Sequence, residues 1–198
     1  MSILLIYLFG TEILKKKAKP VASLDDTLVQ LIYNMFETMH KANGIGLAAT
    51  QVGDLRRVIT IDISDVTEPN AEGETEDDAH PTSPGLPRTL ALINPERVDE
   101  EGKWMVEEGC LSIPNVRGEV ERAEKVRIKY RDGEFKEQEL LADGLLARVL
   151  LHEMDHLDGI LFVDRVTKTK RSLLLPKLRK IRKGEMETEY PVITAAEE

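Results

Sequence analysis

The stretch ARVLLHEMDHLDGILF, from Ala147 to Phe162, decides how the rest of the sequence is interpreted. His152 and His156 are four residues apart, slightly more than one helical turn, so they project from one face of a helix. Two imidazoles placed in this way can bind one small cation. Glu153 lies beside them but rotated away, where it can accept a proton from metal-bound water.

The same spacing also fits an ordinary amphipathic helix whose two histidines are packed or solvated. Two observations favour a metal site. The chain has only 4 histidines, and two of them fall in this window. Leu145 and Val149 make the surrounding face apolar, so the pair is expected to point inward. His40 and His80 are interpreted as ordinary polar residues.

A catalytic metal site needs a third protein ligand and one open position for water. In the extended metalloprotease pattern that ligand is a histidine at the position of Phe162. Three downstream glutamates lie in a charged tail and would be poor buried ligands: Glu185, Glu187 and Glu189. The remaining soft candidate is Cys110, in EEGCLSIP, although a lone cysteine is most often a small buried hydrophobe.

Three segments in this order resemble the signature motifs of the peptide deformylases: GIGLAATQ (Gly44 to Gln51), EGCLS (Glu108 to Ser112) and HEMDH (His152 to His156). The similarity extends over most of residues 5–170. It implies a hydrolase that removes the formyl group from formyl-methionyl nascent polypeptides and releases formate. It also implies one divalent metal ion per chain, with Fe²⁺ favoured and Zn²⁺, Ni²⁺ or Co²⁺ as alternatives.

The resemblance assigns roles to individual residues. Glu153 would be the general base and then the acid, while the Gln51 side chain and the Leu111 backbone N–H would stabilise the developing oxyanion. The segment around Ile45 and Gly46 would pair with the substrate as an added strand. The metal ligands would be Cys110, His152 and His156, and the substrate-binding residues Ile45, Gly46, Glu108, Gly109, Leu145 and Val149.

Glycines and local patterns predict the secondary structure around these motifs. Gly44 and Gly46 would allow tight turns and the close approach of another backbone. Apolar periodicity predicts a helix over residues 24–40 with Ser23 as its N-cap. The pattern also predicts a strand at Val58 to Ser64, buried on one face, with TLALINP as its neighbour. A hairpin is expected over Lys125 to Leu140, turning at Asp132-Gly133. A helix is expected to follow Asp143 and run to Leu157, with Gly159 terminating it.

These elements predict an α+β fold, with antiparallel or mixed sheets packed around a central metal-binding helix, an N-terminal helix and a C-terminal basic tail. A length of 198 residues fits a single domain over residues 1–198. Residues 65–87 hold seven acidic residues and no lysine or arginine, and they are expected to form a flexible insertion, longer than is typical of the resembled family.

The charged C-terminal tail, residues 168–198, begins with a run of eight basic residues and no acidic ones between Lys168 and Lys183. Some members of the resembled family dock on the ribosome through a C-terminal helix, and a basic face would suit ribosomal RNA. Pro176 is expected to break a continuous helix here, which counts against that role. A solvated helix face is the alternative.

Composition and charge limit the partners and the cellular compartment that the sequence predicts. A net charge of −9 argues against nonspecific nucleic-acid binding by the whole chain. A single cysteine excludes an intramolecular disulfide and fits the cytoplasm, and no apolar run is long enough to cross a membrane. The N-terminal ILLIYLF is interpreted as a buried strand or packed arm. Two other functions stay open: a metalloprotease or other amidase, and a catalytically silent ribosome- or RNA-binding protein.

Overall fold

The computed structural model describes residues 2–66 and 82–198, which fold as a mixture of helices and largely antiparallel sheets. Two short 3₁₀ helices, Ile13–Lys15 and Ala49–Val52, accompany the main elements. In chain order these elements are β1 (Ile6–Tyr7), α1 (Asp26–Lys41), β2 (Gly46–Ala48), β3 (Val58–Asp62), β4 (Thr89–Glu101), β5 (Trp104–Cys110), β6 (Ile113–Arg122), β7 (Lys125–Arg131), β8 (Glu137–Asp143), α2 (Gly144–Leu157), α3 (Phe162–Arg165), α4 (Lys168–Arg182) and β9 (Val192–Ile193).

Within residues 2–66 and 82–198, the strands form three sheets. The largest is antiparallel with the order β2-β3-β4-β7-β8, so that β2 and β8 are its edge strands. Strands β5 and β6 form a separate antiparallel hairpin, and β1 pairs in parallel with β9. The predicted α+β class with antiparallel and mixed sheets is therefore confirmed, and the N-terminal apolar segment contributes the short strand β1.

Helix α2 packs on the largest sheet through an almost completely buried surface. Leu146, Ala147 and Leu150 are fully buried in a cluster that also contains residues of β3, β7 and β8. The helix bounds predicted from the sequence are confirmed. Gly159 follows the helix with φ of 74°, and a Cβ there would lie 2.5 Å from the Lys15 carbonyl oxygen, so no larger residue fits.

Helix α1 begins two residues later than predicted. Its N-cap is Asp25, whose carboxylate accepts a hydrogen bond of 2.8 Å from the Leu28 N–H. The prediction of Ser23 as the cap is wrong because a carboxylate three residues before a free backbone N–H satisfies the helix terminus at this later position. Asn43, with φ of 53°, lies just after the helix.

Strand β3 differs from the prediction in its burial. Val58, Ile59, Thr60 and Ile61 are all fully buried, whereas the sequence pattern predicts one buried face. The reason is that α1 contacts the strand as well as α2, so neither side faces solvent. Its predicted neighbour is confirmed as β4, which continues past Pro95 to Glu101 with a register shift.

The hairpin of β7 and β8 is confirmed, but its loop is longer than the predicted Asp132-Gly133 turn. The loop spans residues 132–136 and closes with a hydrogen bond of 3.0 Å from the Asp132 N–H to the Lys136 carbonyl. Phe135 has φ of 63°, so the chain reverses with a positive φ two residues after Gly133.

The prediction that Pro176 breaks the basic segment is wrong. Helix α4 runs continuously through this residue. Proline removes the hydrogen bond to the carbonyl of Ser172, which is exposed and can bind water instead. Leu178 and Ile181 are buried on the inner face of α4.

Two further predictions concern segments at the surface. Residues 67–81 of the predicted acidic insertion, and with them its expected flexibility and His80, lie outside the described residues. At its described ends, Val66 and Leu86 pack against the main core and the Ser83 N–H donates to Asp143 at 2.8 Å. Among the helices of the described ranges, none is long and apolar enough to cross a bilayer.

Candidate metal centre

Three side chains from two elements bring their donor atoms together. Cys110 ends strand β5, whereas His152 and His156 lie one turn apart on α2. The cysteine Sγ is 3.1 Å from His156 Nε2, which is 3.3 Å from His152 Nε2. One donor atom from each residue lies within 4.8 Å of the other two. The sequence-predicted ligands therefore converge at one point.

The chemistry of these donors fits a divalent transition metal. A thiolate and two imidazoles are ligands that zinc, iron, cobalt and nickel accept, and a three-residue set leaves room for a further ligand. Burial lowers the pKa of His152, but its interactions with Cys110 and Glu108 raise it to about 10 overall. Because a metal binds the thiolate and the neutral imidazole, a cation at this point would bind with release of protons from its ligands.

Glu108 orients one of the two histidines. Its Oε2 accepts a hydrogen bond of 2.9 Å from His152 Nδ1. The other ring nitrogen, Nε2, is then the atom of His152 that can bind a cation. Burial alone would raise the pKa of Glu108, but hydrogen bonds from His152 and Arg122 hold it below its usual range. Both carboxylate oxygens are thus occupied by protein side chains.

Arg122 connects this support to helix α2. Its Nε and Nη2 donate to Glu108 at 2.5 and 2.9 Å, and its Nη1 donates to Asp155 Oδ2 at 2.7 Å. Arg165 also donates to Asp155 from the other side. Because Asp155 belongs to α2 and Glu108 to β5, the guanidinium joins the two elements that carry the candidate ligands.

Arg148, for which the sequence predicts no role, is a second buried cation beside Glu108. Its Nε lies 2.9 Å from Glu108 Oε1, an ion-pair distance without hydrogen-bond alignment. The Nη atoms instead donate to backbone carbonyls of Trp104 at 2.9 Å and Val106 at 3.0 Å, and the guanidinium stacks on the Trp104 ring. Arg148 therefore fixes the β5–β6 hairpin against α2.

The Gln51 side chain is held with its amide nitrogen facing the cysteine. Because the Ala48 N–H can only donate, the oxygen of Gln51 accepts it, at 2.8 Å. The nitrogen then lies 3.5 Å from Cys110 Sγ and 3.2 Å from Ser112 Oγ. A hydrogen-bond donor thus lies next to the candidate metal position, and Leu111 directly follows the cysteine.

Glu153 is buried beside the two histidines, only 4% exposed. Burial raises the pKa of its carboxyl to about 7, although the positive charge of His152 opposes that increase. Among the described residues, the oxygen Oε2 has no hydrogen-bond partner, and Oε1 lies against Gly46. An unpaired buried carboxylate of this kind is able to exchange a proton with a reacting group.

A cleft of about 1530 Å³ opens over these groups. It is lined by catalytic and ligand candidates, namely Gln51, Cys110, Leu111, His152 and Glu153, and by every residue predicted to bind substrate, namely Ile45, Gly46, Glu108, Gly109, Leu145 and Val149. His156 lies beneath, 1% exposed. His40 lies apart from this set and pairs with Asp62 at 2.9 Å.

Sequence reasoning missed Arg122, Arg148 and Asp155. A signal for Arg122 was present, because the alternation in VRGEVER places it on the same face of β6 as the buried Val116 and Val120. A charged residue on the inner face of a strand requires a buried partner of opposite charge. No comparable pattern identifies that partner, which comes from another element.

Comparisons with known proteins agree with one another. Residues 3–172 match the family model described as polypeptide deformylase. The chain is 47% identical to a peptide deformylase of Salinibacter ruber, over 99% of this chain and 97% of that protein. A Legionella pneumophila peptide deformylase structure superimposes with a TM-score of 0.77 at 39% identity, covering 93% and 98% of the two chains. The Synechococcus elongatus peptide deformylase in complex with actinonin gives a TM-score of 0.74 at 41% identity, covering 96% and 92%.

Replacing the sulfur donor tests the candidate metal centre directly. We expect Cys110→Ser to lower the metal content of the purified protein, because a hard hydroxyl replaces a soft thiolate. The cobalt-substituted variant should also lose the thiolate-to-metal absorption band. Elemental analysis and the absorption spectrum measure both effects, and an unchanged metal content would contradict the ligand set.

Proposed function

Because the chain belongs to the polypeptide deformylase family, it is a metal-dependent hydrolase that removes the formyl group from nascent peptides, and we propose that Cys110, His152, His156 and Glu153 carry out that reaction. The observation that carries the assignment is the convergence of one sulfur and two ring nitrogens within 4.8 Å beside a buried carboxylate. A divalent cation held by these donors would polarise the formyl carbonyl and supply a nucleophile near neutral pH.

We propose that Glu153 moves the proton in both halves of the reaction. Its carboxylate takes a proton from the attacking water and later gives it to the departing amine of the methionine. The burial of Glu153 supports this role, because its raised pKa brings the carboxyl within reach of both protonation states near neutral pH. Formate then leaves as the second product.

The oxygen of the tetrahedral intermediate needs donors that are already in place. We assign this task to the Gln51 side chain and the Leu111 backbone N–H. The orientation of the Gln51 nitrogen towards Cys110 supports the first assignment, and the position of Leu111 directly after the cysteine supports the second.

We propose that the substrate peptide adds to the free edge of β2. In the described residues, β2 pairs with β3 alone and contributes Gly46 to the cleft. Backbone hydrogen bonds of an added strand do not depend on side chains, which suits an enzyme acting on many different proteins. The methionine side chain would lie against Ile45, Leu145 and Val149.

We propose Fe²⁺ as the physiological metal, with Zn²⁺, Ni²⁺ or Co²⁺ as alternatives that the same donors accept. The enzyme would act in the cytoplasm, where formylated nascent chains emerge. We also propose that the whole chain forms one domain. The supporting observation is that β1 and β9 pair in one sheet, with Ile6 opposite Val192, 186 positions further along the chain.

Loss of the general base tests the proposed mechanism. Glu153→Gln keeps the shape of the side chain but cannot accept the proton, so we expect kcat to fall by about 10²- to 10⁴-fold. Formate release from a formyl-methionyl peptide measures the rate, after anaerobic purification and metal analysis of both proteins. Metal content should match that of the wild type. An unchanged turnover would remove Glu153 from the mechanism.

Gly46 offers a second test, because its missing side chain leaves room for Glu153. A Cβ at this position would overlap Glu153 Oε1 and lie 2.8 Å from Val149 Cγ1. The close approach predicted for Gly46 is thus to side chains, and its φ is not positive. We expect Gly46→Ala to lower formate release by about 10- to 100-fold through displacement of the carboxylate.

Gly133→Ala is the matched control for that substitution. In the part of the chain that the structure describes, no atom outside its own neighbours lies within 4 Å of a Cβ at Gly133, and its φ is not positive either. Turnover within about twofold of the wild type is expected for Gly133→Ala. Equal effects of the two substitutions would show that Gly46 is not required for the position of Glu153.

We further propose that the exposed basic face of α4 contacts the ribosome. Lys177, Arg179, Lys180 and Arg182 are exposed on this helix, and such a face can neutralise RNA phosphates. Its continuity through Pro176 supports a docking role, since an unbroken helix presents these charges on one rigid element.

Charge reversal on α4 tests this contact. We expect Arg179→Glu with Lys180→Glu to abolish co-sedimentation with ribosomes at low salt, while hydrolysis of a short formyl peptide stays unchanged. Lys125→Glu with Lys129→Glu on β7 makes the same change in net charge and should leave co-sedimentation intact. Equal losses in both variants would indicate a nonspecific charge effect.

A further inference from the structure

The end of the chain, which the sequence presents as a charged tail, forms part of the wall of the cleft. After α4, Gly184 adopts φ of 72° and turns the chain back towards the candidate metal centre. Residues 187–190 then line the same cleft as Cys110 and Leu111. The segment continues into β9, which pairs with β1 near the start of the chain.

Backbone hydrogen bonds hold this segment in position. The Ile6 N–H donates to the Pro191 carbonyl at 3.0 Å, and the Leu8 N–H donates to the Ile193 carbonyl at 2.9 Å. The next residue, Phe9, donates its N–H to the Ser112 carbonyl at 2.8 Å. One N-terminal segment, residues 6–9, therefore binds both the C-terminal segment and the loop that follows Cys110.

Apolar packing reinforces the same arrangement. Met186 and Val192, on either side of the cleft-lining residues, pack against the same buried cluster as Cys110. The cluster contains the fully buried Leu8 and Ile113 as well. Residues 186–192 are consequently anchored at both ends rather than free in solvent.

Tyr190 makes one direct contact with the loop after the cysteine. Its hydroxyl donates a hydrogen bond of 2.7 Å to the carbonyl oxygen of Leu111. The bond crosses 79 positions of sequence and is partly shielded from solvent. It holds the peptide unit that follows Leu111, while the hydrogen bond from Phe9 holds the one that follows Ser112.

We infer that Tyr190 is a positioning residue for the deformylation reaction, acting through Leu111. This inference rests on the proposed role of the Leu111 N–H as an oxyanion donor. With the Leu111 carbonyl held by the phenol and the preceding residue held at the candidate metal centre, the N–H between them has little freedom to rotate. A donor that is already aligned stabilises the transition state without reorganising, so a loosened loop slows the chemical step.

Tyr190→Phe removes the hydroxyl and keeps the ring that packs in the cleft wall. Loss of one neutral hydrogen bond corresponds to roughly a 2- to 12-fold change in a rate constant if the whole bond energy is lost from the transition state. We expect kcat for formate release to fall by about 3- to 10-fold. KM should stay within about twofold, because the hydroxyl is engaged by Leu111 rather than by substrate. Metal content should equal that of the wild type, and the thermal midpoint should fall by no more than the few degrees that loss of one hydrogen bond costs.

Tyr33→Phe is the matched control, since Tyr33 is a tyrosine on α1 that is 55% exposed and outside the cleft lining. Its kcat and KM should both be unchanged. Three results for Tyr190→Phe would overturn the inference: an unchanged kcat, a raised KM at constant kcat, or a fall in thermal midpoint that accounts for the loss. The first would indicate no role, the second a direct substrate contact, and the third a purely structural one.

The same assay separates this inference from the proposed function. Glu153→Gln is measured beside Tyr190→Phe under identical metal loading. Inactive Glu153→Gln together with fully active Tyr190→Phe would leave the proposed mechanism standing and reject only the positioning role.

Discussion

The buried ion network of Glu108, Arg122 and Asp155 is the interaction on which the candidate metal centre depends. Their side chains are at most 6% exposed, and one guanidinium binds both carboxylates. Burying such charges costs several kcal/mol each, and removal of one partner typically costs roughly 3–5 kcal/mol because the others are left unpaired. The network therefore fixes the relative position of two elements and is not a source of net stability. It holds the β5–β6 hairpin, which brings the cysteine, against α2, which brings the histidines.

Around this junction, each part of the cleft comes from a different region of the chain. Gly46 on the edge strand β2 leaves room for the Glu153 carboxylate, and the 3₁₀ helix that follows positions Gln51. Tyr190, from the C-terminal segment, completes the enclosure through its bond to the Leu111 carbonyl. The cleft thus contains both the buried candidate ligands and the open edge of a strand. This arrangement suits a reaction in which one group must be placed exactly while the rest of the peptide can vary in sequence.

Local sequence predicted most elements but not their environment. The bounds of α2 and the pairing of β3 with β4 followed from apolar periodicity and glycine, which act within a few residues. Some errors were local, since Asp25 rather than Ser23 caps α1 and the β7–β8 loop is longer than the predicted turn. Others arose where the environment of an element changed the outcome. Strand β3 is covered on both faces by helices, and Pro176 is accommodated because Ser172, whose carbonyl would otherwise accept the helical hydrogen bond, is an exposed residue. The predicted substrate role of Glu108 stays a prediction, since both its oxygens bind side chains.

The sequence by itself determined the donor types and the helical spacing of His152 and His156, because residues four apart on a helix must share a face. The motif resemblance added Cys110 and the family. Only the tertiary structure decided that the sulfur, 46 positions from His156, lies 3.1 Å from its ring, and that Tyr190 reaches Leu111. The physical reason is that backbone geometry relates only residues that are near one another along the chain. Contacts between distant residues depend on how whole elements pack and pair their buried charges.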